Sequence, residues 1–341
     1  MKIIYSQHFS ISDYIEPSIN NIGSATNHSL WITAAEGERA RVHANEDLAH
    51  SVSVATDLVV WGGWGFLPHA DADYFSKHHW SPNNVNLCTK QYSNVSSPQT
   101  TIDAEGIMLS WPGIYTYGHW IYDILPRIWL TKSLFTSGDI SHLPVILPNN
   151  LNIRFYEIFD ILDVRYIKAN MNDGVLIRTA YIPSFTSHLF KYPAEFHIAA
   201  FDWVRQVIGV NQRGVGTCYI KHTPQTSHKN PITSSILEAS KEVLERSQIS
   251  HLDPAPLSFR DQIKHISNFS KLIGLDSSAM HNFIFMNRGA KQLILCNRYR
   301  INLLHACLSA LQGAPLYVCE DLADTREVRF DINDVIAWSE N

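Results

Sequence analysis

The sequence has few cysteines, no long apolar segment and a low share of charged residues. Its five cysteines are scattered and never form a C-x-x-C pair, at positions 88, 218, 296, 307 and 319. That pattern is typical of reduced thiols and not of a disulfide framework or a zinc site. The longest uncharged apolar run, LVVWGGWGFL at 58–67, is too short to cross a bilayer. The sequence therefore predicts neither a disulfide scaffold nor a membrane span.

The charge balance is weakly acidic, with a net charge of −5 and 17% charged residues. This argues against nucleic acid or an anionic membrane as the main partner. The first residues, MKIIYSQHFSISDY, lack the pattern of a signal peptide, so we expect a cytoplasmic protein. The aromatic segment WGGWGF (61–66) is a candidate contact with the inner face of the membrane. A buried hairpin is the alternative that we favour for this segment.

The length of 341 residues exceeds what one hydrophobic core usually supports, so we expect two domains. From about residue 105, strand patterns alternate with helix patterns, which predicts βαβ units and parallel sheets. The polar segment 209–217 is predicted to be a linker, giving domains 1–210 and 211–341 with a central cleft between them. The predicted helices are 117–136, 151–162, 193–210, 234–248, 258–269, 277–286 and 300–312.

The stretch YGHWIYDILPRIWL (117–130) combines a buried pattern with titratable side chains. In a helix, His119 and Asp123 share a face, and Arg127 follows one turn later. Pro126 is expected to kink or end the first part of this helix. One interpretation is a buried helix in which Asp123 pairs with His119 or Arg127. The other is a polar stripe along the cleft, in which a carboxylate orients an imidazole base.

A second stretch, KLIGLDSSAMHNFIFMNRGA (271–290), predicts a strand followed by a helix that opens with Asp276, Ser277 and Ser278. Free N–H groups at a helix start suit a phosphate or diphosphate, although neither a Walker A loop nor G-x-G-x-x-G is present. The alternative is an ordinary helix capped by Asp276 or Ser277. The Asp276 carboxylate would repel a phosphate unless it caps the helix or pairs with Lys221 or Lys229.

A third stretch, CYIKHTPQTSHKNP (218–231), predicts a strand that ends at Lys221 and a loop that contains Lys229. Cations at the carboxyl end of a strand suit anionic ligands. A solvated loop is the alternative.

Together these stretches resemble the bacterial branch of glycosyltransferase family 61, which includes enzymes of capsule and lipopolysaccharide biosynthesis. Residues 117–130 are similar to that family's aromatic-x-His-(three)-Asp-x-Leu-Pro-Arg helix. PLSFRDQIKHISNFSKLIG (256–274) resembles its second motif, in which Gln262 matches the glutamine. GLDSSAMHNFIFMNRGA (274–290) resembles G-x-H-G-A-x-x-x-N-x-x-F-M-x-x-G, in which Asn282 matches the asparagine.

The resemblance implies a GT-B architecture, in which two Rossmann-like α/β domains face a central cleft. It further implies inverting, metal-independent transfer from a nucleotide sugar to an oligosaccharide or lipid-linked glycan acceptor, with no other cofactor. His119 or Asp123 would be the base. The expected substrate-binding and donor-binding residues are Arg127, Lys221, Lys229, Gln262, Asp276, Ser277, Ser278 and Asn282.

The chain departs from the family pattern on the donor side. Asp276-Ser277-Ser278 stands where the family usually has His-Gly-Ala, and Lys221 stands where an arginine is frequent. Two alternatives therefore remain at the level of the sequence. One is another transferase of polysaccharide assembly, moving a phosphosugar or pyruvyl group. The other is a non-catalytic glycan-binding homologue that has lost its donor site.

Overall fold

The computed structural model describes most of the chain after residue 100 and a few strands before it. The described residues are 2–8, 19–21, 49–61, 64–66, 100–109, 112–134, 140–184, 186, 194–210, 214–221, 249–296, 302, 304–320 and 332–340.

The chain folds into two compact units. Unit 1 contains Met1–Ile11 and Asp47–His188, and unit 2 contains Ser12–Glu46 and Leu189–Asn341. The predicted domains 1–210 and 211–341 stay a prediction. The change of unit nearest to their boundary lies between His188 and Leu189, so the helix that follows belongs to unit 2.

Unit 1 contains a mixed sheet of seven strands. They are β1 (Lys2–His8), β3 (Ala49–Trp61), β4 (Trp64–Phe66), β5 (Thr100–Met108), β6 (Val145–Pro148), β7 (Tyr166–Ala169) and β8 (Val175–Pro183).

The strand order in unit 1 is β1-β3-β8-β5-β6-β7, with β4 paired to β3. Strands β8, β5, β6 and β7 run parallel, as the alternation of strands and helices predicts. Strands β1, β3 and β4 join antiparallel. Along the chain, β6 and β7 are therefore added on one side of β5, whereas β8 is added on its other side. Such a reversal of strand order is where doubly wound sheets bind ligands, beyond the carboxyl ends of the strands.

Unit 2 contains a parallel sheet of six strands. They are β2 (Ile19–Asn21), β9 (Thr217–Ile220), β10 (Ser250–Leu252), β11 (Lys271–Leu275), β12 (Lys291–Cys296) and β13 (Leu316–Glu320).

The order in unit 2 is β10-β9-β11-β12-β13-β2, and every neighbouring pair is parallel. Apart from β2, this is the 2-1-3-4-5 order of doubly wound sheets, with its reversal between β9 and β11. The α/β class predicted from the sequence is therefore confirmed in both units.

The helices connect and cover these strands. They are α1 (117–134), α2 (Ile153–Ile161), α3 (Ala194–Ile208), α4 (Phe259–Ile266), α5 (Leu304–Leu311) and α6 (Ile332–Glu340). Short 3₁₀ turns lie at Pro112–Tyr115 and Met171–Asp173, and a longer 3₁₀ helix lies at Ser278–Phe285. The predicted helix over 234–248 lies outside the described residues.

Each unit has its own apolar core on its sheet. In unit 1 the core includes Leu58, Ile146 and Ile177, which belong to three different strands. In unit 2 it includes Ile273 and Leu293 from neighbouring strands. Within the described ranges, no helix is long and apolar enough to span a membrane. Strands β3 and β4 pair antiparallel, with Trp61 opposite Trp64, and form the described part of a hairpin at the segment 61–66.

Candidate functional site

Helix α1 is not a regular α-helix. Two α-helical segments, Tyr117–His119 and Leu125–Trp129, alternate with two π-helical segments, Trp120–Ile124 and Leu130–Leu134. The N–H of Leu125 donates to the carbonyl of Trp120, five residues back. Pro126, the next residue, has no N–H to donate, so the wide turn accommodates it at the place where a kink is predicted. Isolated π-turns inside helices occur frequently at functional sites.

Trp120 fixes the first part of α1 to the body of unit 1. Its indole N–H donates to the carbonyl of Ile114 at 2.6 Å. Its ring stacks on Phe155 with centroids 4.7 Å apart and meets Phe159 edge-on at 5.4 Å. Both phenylalanines belong to α2, so aromatic packing sets the rotation of α1 about its axis. The neighbouring His119 is held on a rigid element as a result.

His119 and Asp123 form the predicted pair. The Nδ1 atom of His119 lies 2.8 Å from Oδ2 of Asp123. The His119 side chain is 28% exposed, whereas that of Asp123 is 6% exposed. A carboxylate at Nδ1 favours the tautomer that carries its hydrogen there and leaves the Nε2 lone pair to accept a proton. The arrangement can therefore act as a general base with a buried orienting acid.

Tyr122 completes this group and was not singled out from the sequence. Its hydroxyl contacts Nδ1 of His119 and lies 3.2 Å from Nε2. Burial raises the pKa of Tyr122 well above its ordinary value, and the charge of Asp123 raises it further. The phenol therefore stays protonated at neutral pH, and with the hydrogen of His119 on Nδ1 it can donate only to Nε2, the atom that an acceptor hydroxyl must reach in its place. The spacing of three residues on one helix was the signal that could have identified it.

Arg127 lies in the interior of unit 1, with 2% of its surface exposed. Its Nη1 atom donates to the carbonyl of Leu109 at 2.9 Å, and its Nε and Nη2 atoms donate to the carbonyl of Pro183 at 3.2 and 3.0 Å. These carbonyls lie at the carboxyl ends of β5 and β8, where the strand order reverses. Burial lowers the pKa of Arg127 to about 10, and the charge of Asp123 opposes that change. The guanidinium thus positions α1 at this edge, and its predicted substrate contact stays a prediction.

In unit 2 two of the predicted donor residues lie at the carboxyl ends of neighbouring strands. Lys221 directly follows β9, is exposed, and donates its N–H to the carbonyl of Leu252 at 2.8 Å. Asp276 directly follows β11, the neighbour of β9 across the reversal in strand order. This is the position at which parallel sheets bind ligands. Lys229 lies outside the described residues.

The Asp276 carboxylate pairs with partners that the sequence did not suggest. Its Oδ1 atom lies 3.0 Å from Nε2 of His305, and its Oδ2 atom accepts the N–H of Asn302 at 3.1 Å. His305 is fully buried in α5, and its ring lies 4.8 Å from that of His281. Among the described contacts, therefore, neither Lys221 nor a cap on the following helix neutralises Asp276. The carboxylate instead ties the end of β11 to the start of α5.

The segment after Asp276 is a 3₁₀ helix and not the predicted α-helix. Ser277 precedes it in an extended conformation, and its hydroxyl makes no capping bond to the helix. Ser278 is its first residue. A Cβ atom at Gly274 would lie 2.4 Å from the sulfur of Met280, so glycine is needed for this helix to lie close against β11. Met280 therefore packs directly against β11.

Gln262 and Asn282 contact each other, as part of a buried hydrogen-bond network. The side-chain N–H of Asn282 donates to Oε1 of Gln262 at 2.9 Å. The Nε2 atom of Gln262 donates to the carbonyls of Pro254 and Leu257 at 3.0 and 3.1 Å. Gln312 supports the far end of the 3₁₀ helix by donating to the carbonyls of Ile284 and Met286. In this geometry the two predicted residues hold the loop 253–258 to the 3₁₀ helix, and their predicted donor contact stays a prediction.

His305 and Gln312 were not predicted from the sequence, because their partners are distant in the chain. His305 meets a carboxylate 29 residues earlier, and Gln312 meets carbonyls 26 to 29 residues earlier. The spacing of residues within one helix or strand does not predict such pairs. The alternation of strands and helices could have suggested the first, because it sets the start of α5 beyond the carboxyl end of β12, next to β11.

Comparison with known proteins identifies the family of this chain. A family model described as Glycosyltransferase 61 matches residues 117–293, more than half of the chain. The matched range begins with α1 and contains every residue predicted for the site. His305 lies beyond it. No curated protein matches the sequence significantly.

Proposed function

Because the chain belongs to glycosyltransferase family 61 and is a glycosyltransferase, we propose that it moves a sugar from a nucleotide-sugar donor to a glycan acceptor in the assembly of a cell-surface polysaccharide. The family membership confirms the resemblance read from the sequence. It also favours sugar transfer over the two sequence-level alternatives, phosphosugar or pyruvyl transfer and a non-catalytic glycan-binding protein. The inverting course and the independence from metal are part of the proposal.

The observation that carries the proposal is the pair of His119 and Asp123 on α1. An imidazole that is partly exposed and oriented by a buried carboxylate is suited to remove a proton from a hydroxyl group. Of the two alternatives left open by the sequence, the difference in exposure favours His119 as the base and Asp123 as the orienting acid. Asp123 also balances the buried charge of Arg127, one turn further along the helix.

The proposed reaction is a single displacement. Nε2 of His119 takes the proton from an acceptor hydroxyl while the hydroxyl oxygen bonds to the anomeric carbon of the donor sugar. The bond between that carbon and the donor phosphate breaks, and its electron pair leaves with the phosphate oxygen. Attack from the side opposite the phosphate inverts the anomeric configuration. The departing phosphate must then be stabilised by cations or N–H groups.

On the donor side we propose Lys221 and the start of the 3₁₀ helix, Ser277 and Ser278, as the phosphate site. Lys229 is predicted to add a second cation. The position of Lys221 and Asp276 at the strand-order reversal supports this assignment. Because Asp276 is engaged by His305 and the N–H of Asn302, its charge is partly compensated within unit 2. This removes part of the objection that its carboxylate would repel a phosphate.

The proposal includes a GT-B arrangement, in which unit 1 serves the acceptor and unit 2 the donor. It also includes action in the cytoplasm, at the inner face of a bacterial membrane, for a capsular or lipopolysaccharide product. The β3–β4 hairpin is the candidate contact with that membrane.

The experiment that tests the proposal is a thermal titration of the purified protein with UDP-, GDP-, CMP- and TDP-sugars, each with and without EDTA. A ligand that binds only the folded state stabilises it by about 2.7 kcal/mol at a hundredfold excess over Kd. We expect one nucleotide class to raise the Tm, and we expect the rise to persist in EDTA. Lys221→Ala tests whether that rise comes from the proposed phosphate site.

Each other outcome is informative. A rise that EDTA abolishes would overturn metal independence while leaving sugar transfer in place. The absence of any rise across the four classes would contradict a nucleotide-sugar donor, and the Asp276-Ser277-Ser278 departure would then be the physical reason to examine.

A further inference from the structure

Tyr115 is an aromatic residue that the site described above leaves unused. It ends the 3₁₀ turn Pro112–Tyr115, immediately before α1, and lies just outside the range that the family model matches. The side chain is 42% exposed, and it is the aromatic member of the small set of large apolar residues exposed in the described part of the chain. Tyr122 and Tyr156, in contrast, are buried.

The Tyr115 ring is held in place by Asn150. The Tyr115 hydroxyl donates to Oδ1 of Asn150 at 3.2 Å, across 35 residues of chain. The contact joins the segment after β5 to the segment after β6, two neighbouring parallel strands. Because Asn150 is exposed and this bond uses only its carbonyl oxygen, its amide N–H groups remain available to a ligand.

The loop that presents Asn150 is fixed on both sides. The N–H of Asn149 donates to the carbonyl of Ala169 at 2.8 Å. Asn152 caps α2 by accepting the N–H of Arg154 at 3.1 Å. Tyr156 reaches back to donate to the carbonyl of Pro148. Asn150 is therefore displayed on a backbone that needs little ordering when a ligand binds, which favours affinity.

We propose that Tyr115 and Asn150 form a subsite for a sugar ring of the glycan acceptor, an inference that rests on the proposed function. The C–H face of a sugar packs against an exposed aromatic ring, and its hydroxyls pair with a side-chain amide that both donates and accepts. Tyr115 lies four residues before His119, next to the extended Thr116, whose carbonyl accepts the N–H groups of His119 and Trp120. The Cα atoms of Tyr115 and of the base are therefore at most ~14 Å apart, a span that a glycan acceptor can bridge.

The test compares acceptor binding and turnover in Tyr115→Ala, Asn150→Ala and the unaltered protein. Saturation-transfer NMR with a panel of methyl hexosides, methyl pentosides and disaccharides reports binding without requiring turnover. Kinetics with the sugar that binds, and with the donor found by thermal titration, report KM and kcat. An aromatic contact of about 0.5–1.5 kcal/mol corresponds to a rise of about two- to tenfold in acceptor KM. We expect that rise with kcat and the donor-induced Tm shift unchanged.

A matched pair of variants separates the subsite from a general effect. Tyr181 donates its hydroxyl to Glu105 at 3.1 Å elsewhere in unit 1. Tyr115→Phe keeps the ring and loses only the bond to Asn150, so it should raise acceptor KM less than Tyr115→Ala does, whereas Tyr181→Phe loses a similar bond and should leave acceptor KM unchanged.

The outcomes distinguish failure of the subsite from failure of the function. If the unaltered protein transfers sugar and Tyr115→Ala keeps its acceptor KM, the subsite is wrong and the function stands. If no sugar of the panel binds while a nucleotide sugar does, the subsite is likewise wrong. If neither class binds, both proposals are overturned.

Discussion

Arg127→Met removes a buried guanidinium that joins α1 to two strands of unit 1. The loss includes three hydrogen bonds, to the carbonyls of Leu109 and Pro183. It also removes the positive charge that Arg127 places near the buried Asp123. Methionine fills similar space but supplies no donor, so the two carbonyls lose these bonds and Asp123 loses charge compensation.

The magnitude follows from these contacts. Removing one partner of a buried charged group costs about 3–5 kcal/mol, in line with about 1.5–3 kcal/mol for each bond to a charged group before relaxation. For a unit of this size each kcal/mol lowers the Tm by about 2–4 °C, so we expect a fall of about 6–20 °C. Arg127→Lys should not restore the loss, because one ammonium cannot reproduce the planar fork that reaches both carbonyls.

The assay measures the Tm of unit 1 in the whole protein by scanning calorimetry. Donor binding is measured on the same samples. Arg178→Met is the matched control, since Arg178 is exposed and its partners Asp57 and Asp103 are exposed ion-pair members. That control should change the Tm far less. If Arg127→Met has the same Tm as the Arg178→Met control and binds the donor weakly, the positioning role is refuted. The predicted substrate contact would then gain support.

Two other variants test unit 2. Lys221→Ala should raise the donor Kd about tenfold and lower saturated turnover by a smaller factor, because the cation binds the donor phosphate before transfer and is one of several groups that stabilise it on departure. Isothermal titration and steady-state kinetics measure the two effects, and an unchanged Kd would remove Lys221 from the donor site. Gln262→Leu should destabilise unit 2 by about 1–3 kcal/mol, because it leaves buried Asn282 without its acceptor. A double-mutant cycle with Asn282→Leu should show coupling of about 0.5–3 kcal/mol, and additive effects would contradict the contact.

The local features of the fold could be predicted from the sequence. Ser258 and Asp261 predict a helix start, and in the structure Ser258 caps α4 by accepting the N–H of Asp261 at 3.0 Å. The contact between His119 and Asp123 likewise followed from their spacing and is confirmed. Such features depend on neighbours within a turn, and the residue types alone specify them.

Features that depend on residues distant in the chain could not be predicted from the sequence. Predicting the burial of Arg127 against the ends of β5 and β8 requires knowledge of the strand order, which no single segment of the sequence specifies. The close contact of Met280 with Gly274 depends on how the segment after β11 packs back on that strand. The engagement of Asp276 by His305 depends on a helix that follows the next strand. In each case tertiary packing overrides or completes a local preference.

The most direct test of the central claim is the turnover of His119→Ala, measured as nucleotide release with the identified donor and acceptor, alongside donor Kd. His119 is partly exposed, so the variant should fold, with a lower Tm because the buried Asp123 loses one hydrogen bond. If His119 is the base held by Asp123, turnover should fall by about 10²–10⁴-fold, with the donor Kd unchanged. A folded His119→Ala protein that transfers sugar at the normal rate would contradict the account.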